Sequence, residues 1–286
     1  YGRSLRFMQE DLPRMGVETA VFDPTDIASA AAAMRPNTKV IMVEVVANPT
    51  LRIADMEGLA ALAADHGAHL IVDNTFTTPL GFQPLRHGAS IVLHSVTKLL
   101  SGHSDAMLGW VAAKDPALAA RLEVLSATYG LTASPFDCWL AERGLLSFEL
   151  RHARAEATAR ALADALSAMS GVRRVLYPGR SDHPDHNRAA ALLTDHPGNM
   201  VSFEIEGGRA AADALAAASD IAFAPTLGDV ATTLSHPASS SHRNVPQAAR
   251  EAIGITEGFF RISVGVEPAD ALIASFERGV DAARNA

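Results

Sequence analysis

Residues 88–105, GASIVLHSVTKLLSGHSD, decide how this chain is read. The first half is an apolar run rich in β-branched residues, and it reads as a buried strand. The second half places one lysine, Lys98, beyond that strand, with Ser95 and Thr97 before it and Gly102 after it. A buried strand has no packing reason to end on a lysine among small hydroxyl residues. Taken alone, Lys98 also fits a side chain that lays its stem on the core and its amine in water.

Strands of the same kind precede it. KVIMVEVV (39–46) and HLIVDN (69–74) are short apolar runs, and GWVAA (109–113) supplies a fourth strand after the lysine segment. Between the first two, Asp55 stands as N-cap to MEGLAALAADHG, whose apolar positions recur at helical spacing, and Gly67 supplies the stop. Strand–helix alternation of this kind predicts an α/β fold with a mostly parallel sheet covered by helices. Ligands of such sheets bind beyond the carboxyl ends of the strands.

Ser134, Pro135 and Asp137 open a further helix, SPFDCWLAERG, and a long helical stretch follows over 151–169. After it come strand patterns at 172–178, 199–208, 221–226 and 259–265, with helices near 209–218 and from about 268. The expected organisation is a larger domain over 1–147 and a smaller C-terminal α/β domain over 148–286.

The bulk properties narrow the function classes. The chain has 286 residues, 48% of them hydrophobic, and a net charge of −8. With a pI near 5.7 and no basic run, a nucleic-acid surface is not expected. No apolar stretch reaches the roughly 18 residues of a membrane span. The single cysteine, Cys138, sits in an amphipathic helix, where cysteine usually packs as a small core residue. These features predict a soluble protein of a reducing compartment, the cytoplasm. The opening YGRSLRF has no Met and no element leading in, so it reads as a piece of a longer protein.

Three strand ends carry polar residues that strands do not require: Asn48, Asp73, and the group Ser95, Thr97 and Lys98. Each has an ordinary reading, Asn48 before Pro49 as a turn residue and Asp73 as a cap. Together they match the needs of pyridoxal phosphate: an amine for the aldehyde, a carboxylate for the pyridine nitrogen, and hydroxyls for the phosphate. A partly desolvated lysine near another cation has a lowered pKa and becomes a competent nucleophile and proton carrier. In extended backbone Ser95 and Thr97 point one way and Lys98 the other.

VDNTFTTP, followed by PLRHGASIVLHSVTKLLSGHSD, resembles the cystathionine γ-synthase/γ-lyase family of pyridoxal-phosphate enzymes, which includes methionine γ-lyase and O-acylhomoserine sulfhydrylase. The resemblance continues through Tyr1–Gly2, EVVANPT, SPFDCWLAERGL, TLGD, HPASSSH and RISVGVE, in the family's order. It implies a fold-type-I pyridoxal-phosphate transferase fold. It also implies roles: Lys98 as the Schiff-base lysine, Asp73 as the partner of the pyridine nitrogen, Ser95 and Thr97 on the phosphate, and Asn48 on the ring oxygen. Tyr1 matches the tyrosine that stacks on the ring and helps protonate the leaving group. Arg261 matches the arginine of the substrate α-carboxylate, and Thr226 falls where the family carries a serine near the lysine.

The implied activity is γ-elimination or γ-replacement on homoserine- or homocysteine-derived amino acids, with Lys98 moving protons at two substrate carbons. A thiol co-substrate and a homotetramer built as a dimer of dimers follow from the same resemblance. Family members carry a further stretch before the position of Tyr1, with a phosphate loop and residues lent to a neighbouring subunit. The chain as given is therefore expected to hold the cofactor weakly. Arg3 stands where relatives have glycine or, in methionine γ-lyases, cysteine, and Ala231 where cystathionine-handling members have glutamate.

Other classes fit less well. The histidines of SDHPDHNR (181–188) and TDHPGN (194–199) fall in loops, where three or four convergent ligands are not expected, so no metal is predicted. GHSD lacks the Gly-x-Ser-x-Gly pattern of a serine hydrolase. An aminotransferase lacks the lysine motif. A non-catalytic descendant remains the rival from another class, opposed by Lys98, Asp73 and Arg261.

Overall fold

The computed structural model describes residues 1–193 and 195–286. Its first sheet runs β1 (Val40–Glu44), β2 (His69–Asp73), β3 (Ile91–Ser95) and β4 (Gly109–Ala113), in that spatial order. The first three are parallel, with Glu44 opposite Asp73 and Asp73 opposite Leu93, so their carboxyl ends lie along one edge. β4 returns antiparallel to β3. Alternate residues Ile41, Val43, Leu70 and Val72 are buried, as strands covered on their faces require.

Helix Met56–Asp65 packs Leu59 and Ala63 into this core. Its N-cap is Asp55, which accepts from the Gly58 amide at 3.0 Å. Gly67 follows the helix with φ +61°, the left-handed position that stops a helix at little cost in glycine. Ser134 accepts from the Asp137 amide at 3.4 Å and opens helix Pro135–Leu145.

The long helix spans Phe148–Ala168 and buries Ala155, Ala159, Leu162 and Leu166 along one face. Beyond it lies a second sheet. It is formed by β5 (Val172–Leu176), β6 (Met200–Ile205), β7 (Ala222–Phe223), β8 (Thr233–Ser235) and β9 (Phe259–Ser263). The order is β5-β6-β9-β8-β7, antiparallel except for the β7–β8 pair. Phe203 and Phe260 stack at 5.4 Å in its core, and Phe276 of helix Ala269–Arg284 meets Phe203 edge-on.

Three expectations change. The strand expected at 221–226 is only two residues long, because Pro225 lacks the amide a ladder needs; the freed segment carries Thr226 into the site. The extended reading of Ser95 to Lys98 ends at Ser95. Lys98 N donates back to Ser95 O at 3.1 Å and Gly102 N to Lys98 O at 2.8 Å, so this segment is coiled into turns and strand alternation does not govern it. Cys138 is exposed, because helix Pro135–Leu145 buries only Ala141 and Gly144.

The two sheets meet along a seam. Ser202 on β6 donates to the carbonyl of Pro49 at 2.7 Å, and Arg52 forks onto Asp185 at 2.6 and 3.0 Å. Among the described residues no helix is long and apolar enough to cross a membrane.

Candidate active site

Lys98 stands in the turn that follows β3, half-buried. Its Nζ donates to Thr226 Oγ1 at 3.2 Å. Burial, and then the nearby Arg261 guanidinium, hold the amine below the usual lysine range. Arg261 comes from the middle of β9, on the other sheet, and is 4% exposed. Its Nη2 donates to the carbonyl of the same Thr226 at 2.8 Å, and its Nη1 to Asn48 Oδ1 at 2.9 Å. Burial lowers its pKa to about 10, so the guanidinium remains charged at neutral pH. Arg261 Nε is buried without an acceptor among the described residues.

A second chain of contacts runs along the strand ends. Asp73 Oδ1 accepts from Thr75 N at 3.0 Å and from Thr75 Oγ1 at 2.6 Å. Thr75 Oγ1 in turn accepts from the Ser95 amide at 2.9 Å. Asp73 Oδ2 and the Ser95 hydroxyl have no partner among the described residues. Thr97 behaves differently: its Oγ1 accepts from Leu108 N at 2.9 Å and donates to Leu108 O at 3.3 Å, closing the loop between them. Asn48 is set by Glu44, whose Oε2 accepts from the Asn48 amide at 3.1 Å.

The structure therefore brings Lys98, Thr226, Arg261 and Asn48 into one network. Asp73 and Ser95 form another, joined to the first through the turn from Ser95 to Lys98. Tyr1 stands apart: its side chain is exposed, at the mouth of a cleft of about 680 Å³ that Asp73, Glu44 and Ala47 also line.

The lysine turn is gripped from three sides. Gly228, at φ +84°, packs so closely that a Cβ would lie 2.6 Å from Leu99 N and 3.0 Å from Lys98 Cα. Gly144 approaches from its helix, where a Cβ would meet Ser101 O at 2.4 Å. Arg151 completes the grip. Its Nη1 donates to Leu99 O and its Nη2 to Leu100 O, both at 3.0 Å, and Nη2 also reaches Gly144 O at 2.9 Å. Arg151 and Thr75 escaped the sequence reading. Arg151 had one signal: a cation in the first turn of a helix opposes the helix dipole and needs another reason to be there.

Residues 1–281 match the family described as Cys/Met metabolism PLP-dependent enzyme. The chain belongs to this family. It is 42% identical over 280 residues to cystathionine beta-lyase MetC of Bacillus subtilis (strain 168), covering 98% of this chain and 72% of that protein. It is 38% identical over 284 residues to L-methionine gamma-lyase of Fusobacterium nucleatum subsp. polymorphum, covering 98% of this chain and 72% of that protein. A solved structure of cystathionine gamma synthase from Xanthomonas oryzae pv. oryzae, in complex with cystathionine, superposes with a TM-score of 0.95 at 37% identity. That match covers all of this chain (100%) and 74% of the solved one.

The fold is thus that of pyridoxal-phosphate enzymes of cysteine and methionine metabolism. The protein is a pyridoxal-phosphate-dependent enzyme of cysteine and methionine metabolism. The residues present fit the cofactor. They offer an amine disfavoured from carrying charge, a carboxylate with one oxygen fixed and one free, and a free hydroxyl at the next strand end.

Proposed function

We propose that the enzyme catalyses γ-elimination or γ-replacement on homoserine- or homocysteine-derived amino acids. The carrying observation is Thr226, which holds the Lys98 amine by its hydroxyl and the Arg261 guanidinium by its carbonyl. An amine that moves protons and a cation that takes a carboxylate are thereby fixed relative to one another, as chemistry at the Cα of an amino acid requires.

In this reading Lys98 binds the cofactor aldehyde and Asp73 pairs with the pyridine nitrogen. Ser95 and Thr97 take the phosphate, Thr97 by turning its hydroxyl from the longer Leu108 contact. Asn48 orients the ring through its amide nitrogen while its oxygen stays on Arg261. Pyridoxal phosphate, when bound, supplies the electron sink that acidifies the substrate Cα–H. Arg261 receives the α-carboxylate, and its unpartnered Nε is the sign of an acceptor still to come. Lys98 would take the proton from Cα, pass it on to the cofactor and, free again, take one from Cβ, so a single base of lowered pKa would serve two adjacent carbons. Tyr1, which lines the same cleft as Asp73, would lie against the cofactor ring and donate a proton to the departing group. A thiol entering at Cγ gives replacement, and water gives a 2-oxo acid and ammonia.

Similar proteins named cystathionine beta-lyase support a second reading, β-elimination at the same site. Cystathionine separates the two. Release of 2-oxobutanoate and cysteine supports the γ reading, whereas pyruvate and homocysteine overturn it in favour of the β reading. The assignment of Lys98 is tested by absorbance: with pyridoxal phosphate kept in excess, a yellow band beyond that of the free cofactor forms in the wild type and is lost in Lys98→Ala. A band of equal strength in the variant would place the cofactor elsewhere.

A homotetramer in the cytoplasm completes the proposal. Helix Pro116–Thr128 buries no residue, and Tyr129, Phe136, Trp139, Leu146 and Leu150 in and around the helices that follow are exposed. Light scattering that gives a monomer mass at micromolar concentration would reject the assembly. A free, exposed Cys138 suits a reducing compartment.

A further inference from the structure

We propose that His152, Glu156 and His196 form a binding site for one divalent cation of the zinc class, separate from the cofactor site. Histidine loops alone gave no reason to expect convergent ligands. The structure supplies the convergence by bringing His196, from the loop before β6, against helix Phe148–Ala168. There His152 and Glu156 stand one turn apart on the same face. Thr194, two positions before His196 in the sequence, lies outside the described residues.

One ligand atom from each of the three lies within 4.8 Å of the others. His196 Nδ1 is 3.1 Å from Glu156 Oε2, and the two imidazoles meet edge to face with centroids 6.1 Å apart. Bonds of about 2.0–2.1 Å in a tetrahedral shell put ligand atoms about 3.4 Å apart, so modest side-chain rotations close the set.

The observation that points to a ligand is His152. It is 2% exposed, and neither ring nitrogen has a partner among the described residues. A buried imidazole with both nitrogens unpaired is costly unless something unseen satisfies it. Burial also pushes its pKa down, which leaves a lone pair free for a metal. Glu156 is already oriented, since its Oε1 accepts from the Gly198 amide at 2.8 Å, the outer contact that metal-binding carboxylates commonly have. The His196 side chain is 40% exposed, which gives the ion a route in and leaves a fourth position for water. Two imidazoles and a carboxylate are a donor set that suits Zn²⁺. Bound there, the ion would clip the long helix to the strand that carries the second sheet's core.

The test uses the purified chain, stripped with chelator, incubated with Zn²⁺ alone and desalted. Elemental analysis is expected to find one zinc per chain, and Tm is expected to rise by about 5 °C with saturating metal. His196→Ala and Glu156→Gln are expected to lose both effects while keeping the wild-type circular dichroism and the cofactor absorbance band. His66→Ala, at an exposed surface histidine, is expected to change neither. Co²⁺ in place of Zn²⁺ should show the visible absorption of a four-coordinate ion in the wild type and in His66→Ala, and in neither His196→Ala nor Glu156→Gln. Equal zinc retention and equal Tm in wild type and His196→Ala would overturn the site.

Discussion

Thr226 offers its hydroxyl to Lys98 and its carbonyl to Arg261, so the two contacts can be separated by one substitution. Thr226→Val keeps the carbonyl and the shape but removes the acceptor of the lysine amine. Steady-state kinetics should show kcat reduced about tenfold, with KM changed less than about threefold, the pattern of a lost transition-state contact. An unchanged kcat would mean that Lys98 does not use this hydroxyl. Arg151 acts at one remove, by holding the carbonyls of Leu99 and Leu100. Lysine cannot span those acceptors with a planar fork. Arg151→Lys is therefore expected to lower kcat about tenfold and to shift the acid limb of the pH–rate profile, where Lys98 must lose its proton. A change in Tm with an unmoved pH profile would reduce Arg151 to a structural role. Lys98 and Asp73 stand out in the sequence because polar residues end apolar strands, whereas Arg261 stands out only through the family resemblance. Arg151 stands out in neither way, because an arginine on an alanine-rich helix reads as a solvated surface residue, and only the folded chain shows what it holds.

At the level of elements, the strands of the first sheet could be read from apolar runs, and their polar ends from what those runs did not need. The turn after β3 could not. Strand alternation ends at Ser95, and the path to Gly102 is set by backbone bonds and by three neighbours distant in sequence: Gly144, Arg151 and Gly228. TLGD was recognisable as a motif, but its reason lies in the approach of Gly228 to the Lys98 backbone. Gly228→Ala meets both a left-handed φ of +84° and a backbone atom 2.6 Å away. It is expected to destabilise the protein by about 2 kcal/mol or more and to weaken cofactor retention. Urea unfolding and titration of the absorbance band with pyridoxal phosphate check the two effects. Wild-type values for both would show that the turn has room to give. The short β7 is the opposite case, where an apolar run promised a strand and Pro225 released it to deliver Thr226.

For the whole molecule, the balance of the buried histidines sets a pH dependence. His94 on β3 is 5% exposed and lies against Trp110, and burial lowers its pKa to about 4. The unfolded chain takes up this proton near pH 6.5, while the folded chain refuses it until about pH 4. The unfolded state thus binds more protons across that window, so stability is complete above it and falls as the solution is acidified. The His94 share is on the order of 1–2 kcal/mol at pH 5. Urea midpoints measured from pH 7.5 to 4.5 should fall accordingly, and His94→Phe should flatten the slope. An equal slope in the variant would assign the loss to other groups.

The amine of Lys98 rides on one sheet and the guanidinium of Arg261 on the other, with Thr226 between them. On the proposed roles of these two residues, substrate recognition is a measurement of distance across the seam, and neither half of the chain, produced alone, holds both ends of an amino acid. A small slip of one sheet past the other silences the enzyme while each sheet keeps its hydrogen bonds, so on heating, turnover should vanish before the circular dichroism of the strands changes.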